Sequence, residues 1–218
     1  MYSKVKFVVP NKNIFDVNGD SDPLEYYYKP FIGRLYFNRI NRTLSLLKSH
    51  YNSILEVGYG SGLMLPTLSK ITNELHGIDL DSNPKTVSKN LEKVKAKAEL
   101  VKGNILKTNY LDNKFDLVVG ISVFEHINDL QTAICEIHRI LKPKGELLVG
   151  IPRVDFIMNK FFRLIGFKEI EHHHVSDYKK LLEAVLRDKK FELVSFTHMP
   201  NLLPKFAGLY YSFLFKKI

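Results

Sequence analysis

The sequence has one cysteine, no tryptophan and no tract rich in proline and glycine. A lone Cys135 can neither close an intrachain disulfide nor build a cysteine-rich zinc site, which excludes disulfide-framework folds and fits a reducing compartment. No run reaches the roughly 18 apolar residues that span a bilayer, and residues 1–13 hold too short an apolar stretch for a secretory signal. A cytoplasmic location is the expectation. No internal repeat, low-complexity tract or linker divides the 218 residues, a length suited to one domain with a sizeable core. The expectation is a single domain over 1–218: a helical N-terminal cap (1–50), a core (51–151) and a C-terminal part (152–218).

The charge that is present is unevenly placed. Against 32 Lys and Arg stand 23 Asp and Glu, a net +9. Residues 51–150 carry 12 of each sign, so the excess belongs to residues 1–50, with 8 against 4, and 151–218, with 12 against 7. Phenylalanine divides the same way, with only Phe115 and Phe124 of the 15 in the centre. Basic, aromatic flanks suit nucleic acid, an anionic membrane or an anionic substrate, or they simply solvate a surface.

Hydrophobic periodicity orders the chain. Residues 24–48 read as one or two helices. Ser53–Val57 is a short apolar run ending in glycines, followed by a helical segment near 62–71. Strand-like 75–80, helical 84–97, strand-like 99–102 and the apolar 115–119 continue the alternation. Leu130, Ala133, Ile134, Ile137, Ile140 and Leu141 form one face of a helix over 129–141, which Lys142-Pro143-Lys144-Gly145 ends, and 145–151 is the next strand. Alternating strands and helices need crossover connections, which predicts an α/β, doubly wound, mainly parallel sheet. A helix over 177–189 precedes strands near 191–197 and 209–215 with no helix between them. Those two should pair as a hairpin and leave one antiparallel strand, the seventh and last in a Rossmann-like sheet.

The turn after the first strand reads Glu56-Val57-Gly58-Tyr59-Gly60-Ser61-Gly62. Glycines tolerate positive φ and let a ligand approach the backbone, and an anionic or carboxylate-bearing group is expected there. A dinucleotide fingerprint needs a glycine where Leu63 stands, and the Gly-Lys-Ser/Thr of a phosphate loop is absent. What remains is a glycine turn with an acid, Asp79, ending the second strand, a position suited to ribose hydroxyls.

With these segments in order (ILEVGYGSG, GIDLD, VKGNIL, KFDLVVGISVFEHI and RILKPKGELLVGIP), residues 53–151 resemble the class I S-adenosylmethionine-dependent methyltransferases, in particular the small-molecule branch that includes quinone-biosynthesis enzymes. The resemblance implies S-adenosyl-L-methionine as cofactor and S-adenosyl-L-homocysteine as product. It implies that Gly58, Tyr59, Gly60 and Gly62 line the amino-acid end of the cofactor, and that Glu56 steadies the loop and the ammonium. Asp79 would hold the ribose, and Leu80 would lie against adenine. Asn104 stands where many relatives have Asp, so its carbonyl would accept from the adenine amine without charge, with Ile105 covering the ring. Gly120, Ile121 and Ser122 would meet the methionine portion.

Methyl transfer from an activated donor needs alignment and exclusion of water, with a base only where the acceptor starts protonated. His126 is the candidate base or acceptor contact, the alternative being a role in starting the following helix. His172-His173-His174 has no second ligand cluster at metal spacing, and no metal is expected. The acceptor pocket is expected to draw on Tyr27, Tyr28, Phe156 and His173. The turn after the fourth strand, Gly120-Ile121-Ser122-Val123, departs from the Asn/Asp-Pro-Pro-aromatic turn of adenine and cytosine amino-methyltransferases, so nucleic acid is not the favoured partner. The expected acceptor is small and apolar or lipid-like. Residues 156–167 read either as a lid helix or as a segment lying on an anionic membrane surface. Two alternatives stay open: an accessory protein that binds the cofactor without catalysis, and a methyltransferase of structured RNA or protein. The sequence leaves the oligomeric state undecided.

Overall fold

The computed structural model describes residues 5–18, 22–153, 175–202, 204 and 208–218. Expectations that fall on 154–174, including those for Phe156 and His173, lie outside the described residues. Seven strands form one sheet: β1 (Tyr51–Val57), β2 (Thr72–Asp79), β3 (Glu99–Lys102), β4 (Phe115–Ile121), β5 (Leu141–Pro152), β6 (Phe191–Met199) and β7 (Tyr210–Lys217). Their spatial order is β3-β2-β1-β4-β5-β7-β6. Only β7 runs against the rest, pairing antiparallel with both β5 and β6. The late hairpin therefore yields the one antiparallel strand that the missing helix between β6 and β7 requires.

The chain winds outward from β1 through β2 to β3, then returns to place β4 on the other side of β1. That reversal opens a crevice beyond the carboxyl ends of β1 and β4, where ligands bind in sheets of this kind. The central strands are buried on both faces: Ile54, Leu55, Leu117, Val118 and Val119 are all fully covered, as continuous apolar runs in a parallel sheet demand. One face packs on α2 (Ile32–Leu44) through Ile40 and Leu44, with Leu65, Val87 and Leu91 alongside. The other packs on α5 (Leu130–Ile140) through Ala133, Ile134 and Ile137, and on α6 (Tyr178–Leu186) through Leu181 and Val185.

Three expectations change in detail. The N-terminal flank is helical only at α1 (Leu24–Tyr27) and α2; residues 5–18 are irregular chain that buries Val5, Phe7 and Phe15, with the Phe7 amide donating to Asn41 Oδ1. The helix expected over 62–71 shrinks to α3 (Leu65–Leu68), because Gly60 and Gly62 sit at φ +51° and +83° and the residues around α3 form three-residue turns. So short a helix has almost no macrodipole, and any donors to a ligand must come from the glycine turn itself. β5 starts at Leu141 rather than 145, with a break in its register against β4 between Phe115 and Leu117. α4 (Pro84–Lys93) starts where expected, capped by the Asn83 side chain on the Lys85 amide. Among the described residues, no helix is long and apolar enough to cross a membrane.

Leu117 sits at the centre of β4 with none of its side chain exposed. Leu117→Ala should lower unfolding free energy by about 2–5 kcal/mol, read by urea denaturation.

Candidate functional site

A cavity of about 260 Å³ opens at the crevice between β1 and β4. Its wall includes Glu56, Gly58, Tyr59, Gly60, Asp79, Leu80, Asn104, Ile105, Ser122 and His126, most of the residues that the sequence nominates, and Tyr27 from α1. Gly62, Gly120 and Tyr28 stand outside that wall. Gly62 instead turns the chain against Val87, Gly120 packs beneath Phe124, and the Tyr28 hydroxyl donates to the Pro10 carbonyl.

The glycine turn is held from β2. Asp79 Oδ2 accepts from the Gly60 amide at 2.8 Å, and Oδ1 accepts from the Asp81 and Ser82 amides at 2.9 Å each. The same carboxylate nominated for ribose thus organises two turns of the cavity, leaving only part of its acceptor capacity for a ligand. Gly58 has φ +73°, and a Cβ there would stand 2.7 Å from Val123 Cγ2, so a side chain would collide with the β4 turn as well as strain the backbone. Asn104 Oδ1 accepts from the Leu106 amide, which fixes the residue's orientation and keeps one lone pair unused. Leu80 is 58% exposed at the rim.

Beyond β4, Ser122 adopts φ +56°, its amide donates to the Gly150 carbonyl and its hydroxyl lies 3.0 Å from the Tyr210 hydroxyl. His126 ends a 3-10 turn (Phe124–His126) and faces the cavity, while Asp129 caps α5 by accepting from the Thr132 amide. The helix-starting role thus belongs to Asp129.

Two buried charges frame the site. Glu56 is 4% exposed, lines the cavity and has an Oε2 with no hydrogen-bond partner among the described residues. Burial, reinforced by the nearby Asp79 charge, raises its carboxyl well above the usual range. Arg39, from α2, lines the same cavity; its guanidinium lies 3.9 Å over the Tyr36 ring and donates to the Tyr27 hydroxyl at 3.4 Å, with Nε unpartnered among the described residues. Burial opposes its charge, the neighbouring Tyr27, Tyr210 and Tyr36 act the other way, and the guanidinium stays protonated as arginine does in proteins generally. Behind it Glu125 is 1% exposed with Oε2 also unpartnered, and burial pushes its carboxyl up to about 8 despite its own amide and Arg39. The Glu125 carbonyl accepts the amides of Val175 and Ser176, tying the chain before α6 to this turn.

Sequence reasoning missed Asn18, Asp22 and Arg39. Arg39 is one of several basic residues on an amphipathic helix, and nothing in its spacing marks it as the one that faces inward.

Residues 55–149 match the family model described as a methyltransferase domain. An uncharacterized protein of Methanocaldococcus jannaschii is 34% identical over 132 residues, 60% of this chain and 54% of that one. The ubiquinone biosynthesis O-methyltransferase of Rickettsia bellii is 32% identical over 127 residues, 51% of this chain and 49% of the enzyme. The chain thus spans about half the length of these curated relatives. Among solved structures, the N-methyltransferase NodS of Bradyrhizobium japonicum, in complex with S-adenosyl-L-homocysteine, superposes with a TM-score of 0.62 at 20% identity, over 91% of this chain and 93% of that one, a likeness of fold.

Residues 55–149 thus match a methyltransferase domain, and the fold around them is the one seen in methyltransferases. The cofactor of such domains is S-adenosylmethionine, and the cavity suits it: Glu56 lines it with a carboxyl that has no cationic partner among the described residues, and the backbone beside Gly58 and Gly60 is open to close approach. Among the described residues, no group of His, Cys, Asp and Glu is arranged to hold a metal.

The carboxyl of Glu125 titrates higher in the folded protein than in the unfolded chain, so the folded state binds the extra proton between roughly pH 4.5 and 8 and loses stability as pH rises through that window. Glu56 and Asp22 act in the same direction. Glu125→Gln should flatten the upper part of the decline, read as unfolding free energy in urea from pH 5 to 8.5.

Proposed function

We propose that the protein transfers the methyl group of S-adenosylmethionine to a small, apolar or lipid-like acceptor and releases S-adenosylhomocysteine. One observation carries the reading: a single cavity is lined by a buried carboxyl, Glu56, and a half-buried guanidinium, Arg39, and among the described residues Glu56 Oε2 and Arg39 Nε have no hydrogen-bond partner. An α-amino acid end, ammonium and carboxylate together, answers both. Buried polar groups left unpaired cost about 1–3 kcal/mol each, so a zwitterion that satisfies them is favoured.

The cofactor supplies an activated methyl on a sulfonium. The protein's part is to hold and to shield. The Asp79–Gly60 clasp sets the turn, Glu56 and Arg39 orient the amino-acid end, and Asn104 and Ile105 form the opposite wall. Leu63, Met64, Ile121, Val123 and Ile127 give the remaining wall an apolar character that excludes water and favours an apolar acceptor. His126, at the acceptor side of β4, takes the proton of a hydroxyl or amine acceptor. The basic, aromatic character of the flank persists at the surface: Phe31 is 93% exposed between Lys29 and Arg34, a combination suited to an anionic membrane from which a lipid-like acceptor would come. The similar proteins carry O-, C- and N-methyltransferase names.

Arg39→Ala should raise the dissociation constant for S-adenosylmethionine at least tenfold in calorimetric titration, with an unchanged thermal melt; unaltered affinity would remove Arg39 from the cofactor site. Methyl transfer assayed across quinols, phenols and lipid extracts tests the activity. Tight binding without turnover on any acceptor would favour the accessory-protein reading instead. His126→Ala should lower kcat on a protonated acceptor by about 10²-fold and leave cofactor affinity within twofold, read by steady-state kinetics and titration.

A further inference from the structure

The cavity wall has a third contributor that lies outside the sheet. Asn18, in the irregular N-terminal chain, donates through Nδ2 to the Gly60 carbonyl at 3.4 Å and to the Asn83 carbonyl at 3.3 Å. Its Oδ1 accepts from the Asn83 amide at 3.1 Å, and its carbonyl accepts from the Ser82 hydroxyl at 2.9 Å. One residue thus bridges the glycine turn after β1 and the turn after β2. Asp22 completes the bridge: Oδ2 accepts from the Asn18 amide at 2.9 Å, and Oδ1 accepts from the Leu24 amide at 3.1 Å and the Ser61 hydroxyl at 3.3 Å.

These contacts satisfy Asp22 without neutralising it. No basic side chain among the described residues pairs with Asp22 or Glu56, whereas Asp22, Glu56, Asp79 and Asp81 all line the cavity and Arg39 is the opposing guanidinium on its wall. The cavity is therefore acidic in a chain whose net charge is +9. Burial raises the Asp22 carboxyl, with a small further push from the Asp79 charge. Glu56, buried and with Oε2 unpartnered among the described residues, lines the same space.

Resting on the cofactor reading above, we infer that Asp22 is a charge-reading residue of the cofactor site, one that favours the sulfonium-bearing donor over the neutral thioether left after transfer. S-adenosylmethionine carries one more positive charge than S-adenosylhomocysteine, and the two are otherwise alike in the groups they present to hydrogen bonding. A carboxylate in a partly desolvated wall acts on that difference through several ångströms without touching the sulfur. Asn18 has a separate, positioning role, because it is uncharged and joins the two turns that any adenosyl ligand must use.

The test is calorimetric titration of the full chain with each ligand. Asp22→Asn, which keeps the shape of the side chain and removes its charge, should raise the ratio of the S-adenosylmethionine to the S-adenosylhomocysteine dissociation constant about fivefold. Asn18→Ala should weaken both ligands and change the ratio by less than twofold. Asp22→Ser, which retains an acceptor for the Asn18 amide, reads the same ratio if the Asn variant does not fold. An unchanged ratio in the Asp22 variants, with both affinities falling together, would reduce Asp22 to a structural tie and overturn the inference. Failure of the unaltered protein to bind either ligand would overturn the cofactor reading and this inference with it.

Discussion

Three backbone amides converge on the carboxylate of Asp79, and the geometry of the cavity depends on that convergence. Gly60 comes from the turn after β1, Asp81 and Ser82 from the turn after β2. The two strands run parallel in register from Tyr51 with Thr72 to Val57 with Ile78, so their carboxyl ends arrive side by side. Parallel pairing brings the turns together and the carboxylate locks them, since a charged acceptor taking several N–H bonds is worth more than neutral contacts. A glycine turn without this anchor would have the freedom that positive φ gives and no reason to keep one shape.

Around this clasp the molecule separates structural from chemical charge. On the far side of the sheet, buried charges are paired or fully bonded: Glu146 meets Lys48 and the Tyr51 hydroxyl, and the Lys217 amine donates to Asn113 Oδ1 and to the His138 and Leu141 carbonyls. At the cavity they are left short of partners, as Glu56 and Arg39 show. Desolvated groups without partners are costly to a fold, and their concentration at the one end of the sheet where ligands bind is a physical signature of a site whose partners arrive with a ligand.

Much of the architecture was legible because it repeats a local rule. Continuous apolar runs such as Phe115–Val119 announce strands buried on both faces, and the i, i+3, i+4 spacing of Leu130 to Ile140 announces a helix with one covered side. The glycine turn and Asp79 were legible for a related reason: they occupy fixed places at the ends of the first two strands, and chain order is enough to find them. Where local rules compete, legibility fails. The segment after Gly62 has helical spacing, yet the left-handed glycine conformations and the turns around Pro66 leave only Leu65–Leu68 as helix. Tyr28 carries the same aromatic signal as Tyr27, but adjacent residues on a helical turn point apart, and only Tyr27 reaches the cavity.

The sequence by itself determined the sheet class, the late antiparallel hairpin, the glycine turn with its acid, and the family these resemble, because each is a pattern of neighbours along the chain. The tertiary structure decided which members of the basic, aromatic flanks belong to the site. Arg39 among the arginines of α2, and Asn18 and Asp22 in an irregular stretch, are brought to one cavity by packing between segments as much as about 100 residues apart. No periodicity encodes such a meeting, since burial against a distant element is what turns an ordinary surface charge into a buried one with no partner. The +9 of the chain thus surrounds a cavity of the opposite sign.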